Sequence, residues 1–137
     1  MRTTHFGFLP GFGGVAITTF LFCLALVPEA GAHARLVRSV PAKGAELSAS
    51  PDRIEMWFNE LLDDGFNTVL VFPAAELASK LRTNLVREKP VVDPKDRTHL
   101  IVKLPALPAD EYVVEWRVLS RDGHSAPGRF TFRVVGK

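Results

Sequence analysis

Apolar and polar residues alternate with a period of two through much of the chain. In Glu111–Leu119 the residues Tyr112, Val114, Trp116 and Val118 fall on one face, and Glu115 and Arg117 on the other. That spacing predicts a strand with one face in a core. Gly128–Val134 repeats it, with Phe130, Phe132 and Val134 inward and Arg129, Thr131 and Arg133 outward. Ile54, Met56 and Phe58 alternate with Arg53, Glu55 and Trp57. Asn67–Phe72 and Thr98–Leu104 are β-rich runs, and Leu36, Val37 and Val40 suggest a further, first strand. The breaks between runs carry turn chemistry: Pro41-Ala42-Lys43-Gly44, Ser50-Pro51-Asp52, Asp63-Asp64-Gly65, Asp93-Pro94, Pro105 to Asp110, and Asp122-Gly123. Five to seven short strands at this spacing predict an all-β, two-sheet antiparallel sandwich. Residues 74–87 fit the pattern least. Glu76–Leu81 suits a helical turn or an irregular strand, and periodicity leaves both open.

The first 32 residues read differently. Arg2 is followed by an uncharged stretch from Gly11 to Pro28, with an apolar run from Val15 to Val27, and then by Ala30-Gly31-Ala32. A basic start, an apolar run and a small-x-small site predict a secretory signal peptide cleaved after Ala32. Pro10, Gly11, Gly13 and Gly14 interrupt the uncharged stretch and argue against a retained membrane span. The expected domain is then residues 33–137. Cys23, the single cysteine, falls in the leader without the residues of a lipoprotein site before it. The domain therefore has no thiol for a disulfide, a zinc-thiolate site or a catalytic cysteine. The leader holds one cation and one anion, Arg2 and Glu29, so the net charge of +2 is unchanged by its loss. Such a mild balance gives no sign of a nucleic-acid partner.

Cleavage would turn His33 into a first residue with a free α-amine. Amine and imidazole Nδ1 can close a six-membered chelate ring, and two such nitrogens suit Cu(II), which prefers tetragonal N/O sites. Asp122-Gly123-His124 offers a carboxylate and an imidazole two residues apart, positions that can project to one side of an extended or turning backbone. Gly123 lets the loop bend. Taken alone, Asp-Gly is as readily a plain turn.

Longer stretches resemble the CopC-type periplasmic copper-resistance domain family. They are Ala32-His33-Ala34 with Leu36 to Ala45, Ser50-Pro51 leading to Met56-Trp57-Phe58-Asn59-Glu60, and above all Tyr112 to His124 closing with Gly128 to Phe132. The resemblance implies a Greek-key β-sandwich of immunoglobulin/cupredoxin-like type with about seven strands. It implies one Cu(II) per chain, held by His33, Asp122 and His124. It also implies a non-enzymatic periplasmic role in holding or delivering copper, beside a CopD-type membrane transporter. Soft Cu(I) wants several thioethers or thiolates. Met56 is the one methionine outside the leader, so a Cu(II)-only member is expected.

Other candidates have plainer readings. His99 starts a strand and reads as a surface histidine. Glu60 reads as a solvated strand end, with a ligand-orienting role as the alternative. Asp63-Asp64-Gly65 reads as a hairpin turn, since the further oxygens of a calcium loop are missing. Trp57, Trp116, Phe130 and Phe132 read as core. Ser125 beside His124 lacks the strand-to-helix elbow of a serine hydrolase. A blue-copper site would need a cysteine thiolate. Two rival functions stand: a histidine-brace copper oxidoreductase, and a metal-free sandwich for protein contact. Metal binding requires deprotonated nitrogens. With reference values of about 6.5 for histidine and about 7.7–8.0 for an α-amine, copper should leave on acidification.

Overall fold

A computed structural model describes Met1, Gly7 and residues 34–136. The expected leader, its cleavage site and His33 lie outside the described residues. Among the described residues eight strands follow one another: β1 (Leu36–Val40), β2 (Glu46–Leu47), β3 (Arg53–Phe58), β4 (Thr68–Pro73), β5 (Val91–Val92), β6 (His99–Lys103), β7 (Asp110–Leu119) and β8 (Ser125–Val134). They form two four-stranded sheets, ordered β1-β3-β6-β5 and β2-β8-β7-β4. The six strands legible as alternating or β-rich runs are all present. The two added ones, β2 and β5, have two residues each, too few to show a period. β2 pairs with β8 in parallel, the one departure from antiparallel pairing among the described strands.

The core lies where the inward residues of the two sheets meet. Ile54, Met56 and Phe58 from β3 pack with Tyr112, Val114, Trp116 and Val118 from β7 and with Phe130, Phe132 and Val134 from β8, all buried. This is the alternation read from the sequence. Trp116 meets Phe58 edge-on, with centroids 6.1 Å apart. Gly128 pairs directly with Trp116 across β7 and β8. A Cβ on Gly128 would sit 2.3 Å from the indole Cζ2, so the missing side chain is what makes room for the ring.

The ambiguous region resolves as a single 3-10 turn, Ala74–Glu76, followed by irregular chain that covers part of the second sheet. Phe72 and Val113 are buried although their neighbours in the strand face the core. The Arg82 guanidinium lies 4.8 Å from the Phe72 ring centroid and pairs with Glu115 at 3.0 Å. The same chain ties off β4, an outer strand of its sheet. Asn84 Oδ1 accepts the Val71 N–H (3.3 Å), and the Leu85 N–H donates to the Val71 carbonyl (2.8 Å).

Three expectations need correction. Asp63-Asp64-Gly65 is a turn, with the Gly65 N–H donating to Asp63 Oδ1 (2.8 Å), but it is not a hairpin: β3 and β4 belong to different sheets. Trp57 is not core. It stands half-buried on the outer face of its sheet, its ring stacked at 4.1 Å on His99 and covered at 3.6 Å by the Arg38 guanidinium. His99 is not on the surface. It is buried beneath this stack, with Nδ1 3.5 Å from Asp93 and Nε2 2.9 Å from Glu55. The Glu55 contact lacks hydrogen-bond alignment at Nε2 and is one of proximity. Two carboxylates and an indole compensate the burial of an imidazole that a polar strand start had suggested was solvated.

Candidate metal centre

β7 ends at Leu119 and β8 begins at Ser125, so residues 120–124 form the connection between the two longest strands. The Ser120 N–H donates to the His124 carbonyl and the Gly123 N–H to the Ser120 carbonyl, both at 2.9 Å. Gly123 adopts φ +90°, a left-handed value that costs an L side chain roughly 1–2 kcal/mol. This bend brings Asp122 and His124 together. His124 Nδ1 is 3.1 Å from Asp122 Oδ2, and the His124 N–H donates to Asp122 Oδ1 at 3.2 Å. Both side chains remain accessible, Asp122 at 39% and His124 at 59%.

Ser120 fixes the carboxylate from beneath. It is buried, and its hydroxyl donates to Asp122 Oδ1. That bond first, then the His124 N–H and the His124 ring, lower the Asp122 pKa from 3.8 to about 2. Asp122 is therefore ionised at any ordinary pH. The contact of His124 Nδ1 with Asp122 is of the kind that orients a ligating imidazole.

A second segment, residues 59–63, joins this turn to the start of the domain. The Arg35 N–H donates to Asn59 Oδ1 (2.5 Å) and the Asn59 N–H to the Arg35 carbonyl (3.1 Å). Leu62 then bridges to Ser120 in antiparallel fashion. The Arg121 N–H donates to the Leu61 carbonyl (2.9 Å) and the Asp63 N–H to the Leu119 carbonyl (2.8 Å). Ala34, one residue after His33, is buried in the core. The backbone that follows His33 and the Asp122–His124 turn are thus held at one end of the sandwich by the same short segment. Among the described residues no three His, Cys, Asp or Glu side chains gather as a metal site. A carboxylate and an imidazole are in place, and further donors would have to come from elsewhere in the chain.

A CopC domain matches residues 36–135, most of the chain. The chain belongs to the CopC family. It is 33% identical over 120 residues to the "Copper transport protein CutJ" of Bacillus subtilis, with 86% of this chain aligned; the chain spans 21% of that relative's length. It is 33% identical over 126 residues to the "Copper resistance protein C" of Pseudomonas syringae pv. tomato, covering 86% of this chain and 93% of the relative. Among solved structures it resembles CopC from Methylosinus trichosporium OB3b (TM-score 0.66, 26% identity, 76% of this chain and 95% of that one). It also resembles PcoC of Escherichia coli, described as a methionine-rich copper resistance protein (TM-score 0.63, 30% identity, 76% and 100%). Both the family and the β-sandwich expected from the residues are therefore as read, and the protein is copper-related.

The remaining candidates of this CopC domain divide by position. Glu60 lies half-buried in the 59–63 segment, at the same end as Asp122 and His124. His99 sits on the outer face of the other sheet and engages Glu55 and Asp93 instead. Ser120 and Asn59 were not singled out in the sequence, yet both hold the site. A serine two residues before an aspartate at a strand end is a side-chain-to-turn signal that could have flagged Ser120. Asn59 carried no local signal, because its partner is 24 residues away.

Proposed function

We propose that this protein is an exported, periplasmic Cu(II) carrier, freed of its leader after Ala32, that holds or delivers copper for resistance or homeostasis without catalytic turnover. Its ligands on this reading are the α-amine and imidazole of His33, the Asp122 carboxylate and the His124 imidazole, with one Cu(II) per chain. The observation that carries the reading is the Asp122–His124 pair, preset by Ser120 and Gly123. It stands at the end of the sandwich to which Asn59 ties the backbone of Arg35. Amine, imidazole and carboxylate donors suit Cu(II). A carboxylate kept ionised down to about pH 2 offers a charged oxygen without a protonation cost. Kinship to a copper transport protein in which a similar segment is 21% of the length supports a membrane copper transporter, of the CopD type, as partner.

The methionine content supports a preference for Cu(II). Met56 is fully buried in β3, where its thioether serves the core, and one sulfur would be a poor Cu(I) site in any case. The deciding measurement is a competition titration on two proteins, one starting at His33 and one with a single alanine ahead of it. The added residue converts the amine to an amide and should weaken Cu(II) binding by orders of magnitude, while Cu(I) affinity stays low in both. Equal Cu(II) affinities would remove His33 from the ligand set. Sustained oxygen consumption with ascorbate and a glycan would replace the carrier by an oxidoreductase.

A further inference from the structure

The metal-loop turn is held in place through Leu62, and Leu62 is held by a residue from the other sheet's connecting loop. Arg97, between β5 and β6, accepts the Leu62 N–H at its own carbonyl (2.8 Å) and returns a hydrogen bond from Nη2 to the Leu62 carbonyl (2.7 Å). Its Nη1 reaches both oxygens of Asp64, at 2.9 and 2.8 Å. Both backbone polar groups of Leu62 are thereby engaged by one residue 35 positions away. Leu62 itself is fully buried and faces Ser120 across the bridge.

We propose that Arg97 is a positioning residue for the metal centre: by fixing Leu62 it sets Ser120, and through Ser120 the spacing of Asp122 and His124 relative to the start of the domain. The inference rests on the Cu(II) reading above. The two contacts of the guanidinium are unequal. Asp64 is 72% exposed, and such surface pairs contribute little. The Leu62 carbonyl is part-buried, and a charge-assisted bond there is among the stronger kinds. The backbone carbonyl therefore carries the effect, and the carboxylate chiefly orients the guanidinium.

Charge provides a test by sign. Removing a cation near the site should, by Coulomb's law alone, strengthen binding of a divalent cation. Loss of positioning should weaken it. In Arg97→Gln we expect Cu(II) binding about tenfold weaker, the scale seen when a residue supporting a metal ligand is lost, with an altered Cu(II) EPR hyperfine pattern. In the copper-free protein, amide exchange should speed up at Asp63 and Arg121 but not at Val114. Asp64→Asn should leave affinity within about twofold. Arg97→Lys, which can still donate to the Leu62 carbonyl, should recover part of the loss; should Arg97→Gln fail to fold, Arg97→Met, which keeps the aliphatic stem and removes every donor, decides in its place, and wild-type or tighter Cu(II) binding by it overturns the proposal. Wild-type or tighter binding by a folded Arg97→Gln, with an unchanged EPR spectrum, overturns the positioning role and leaves the carrier reading intact. A wild-type protein without Cu(II) affinity removes both.

Discussion

The Ser120 hydroxyl is the largest of several contacts that lower the Asp122 pKa. A carboxylate whose folded pKa is depressed contributes stability that is present above its unfolded value and lost as pH falls through the folded one. For Asp122 that window runs from 3.8 down to about 2, with the Ser120 hydroxyl as the largest cause. Copper loss on acidification above about pH 4 should therefore report the nitrogen ligands, since the carboxylate has not begun to protonate. Ser120→Ala should move the Asp122 titration up toward the ordinary carboxylate value, read from its side-chain carboxyl carbon by NMR in the copper-free protein. It should also weaken Cu(II) binding roughly tenfold or more, as loss of a ligand's supporting hydrogen bond does. An unshifted titration would mean that the His124 contacts suffice. The same residue marks the limit of reading chemistry from sequence. Asp122 and His124 stand out by type and spacing, whereas the serine that tunes them acts through a burial only the fold creates.

Among the strands, those with several alternating residues were legible because one face of each meets the core. The period failed where a second layer covers the outer face. Phe72 is buried under Arg82 from the chain that follows the 3-10 turn, with Val113 buried beside it, and His99 is covered by Trp57. Both coverings come from residues distant in sequence or from stacking across strands, which no local pattern encodes. The pairing of Trp116 with Gly128 is a further cross-strand feature of this kind. Gly128→Ala places a methyl against the indole, at a contact shorter than any real Cβ tolerates. The indole must shift within a packed core, at a cost of about 1–3 kcal/mol. The expectation is a lowered denaturation midpoint with an unchanged urea dependence and a shifted Trp116 indole resonance. A midpoint equal to wild type would show that the ring has room to move.

At the scale of the whole molecule, the end that carries the candidate metal centre is assembled from three separate stretches: the residues after His33, the 59–63 segment and the β7–β8 turn. The first and third, and Asn59-Glu60 of the second, lie in stretches that resemble family sequence. Apart from the Asn59 side chain, the middle one contributes backbone hydrogen bonds, which any residue types could supply, and so it left little trace. The two sheets also have four outer strands, and each is blunted. β1 has an irregular register between Leu36 and Arg38, β2 and β5 are two residues long, and β4 is tied to Asn84 and Leu85. Strands left open at a sheet's edge recruit other chains and seed aggregates. The tie on β4 denies that edge to neighbouring copies and so favours tolerance of crowding. Opening one edge should forfeit that tolerance: Asn84→Ala, which frees the Val71 and Val86 N–H groups, should raise light scattering in concentrated solution well before it changes the sandwich itself.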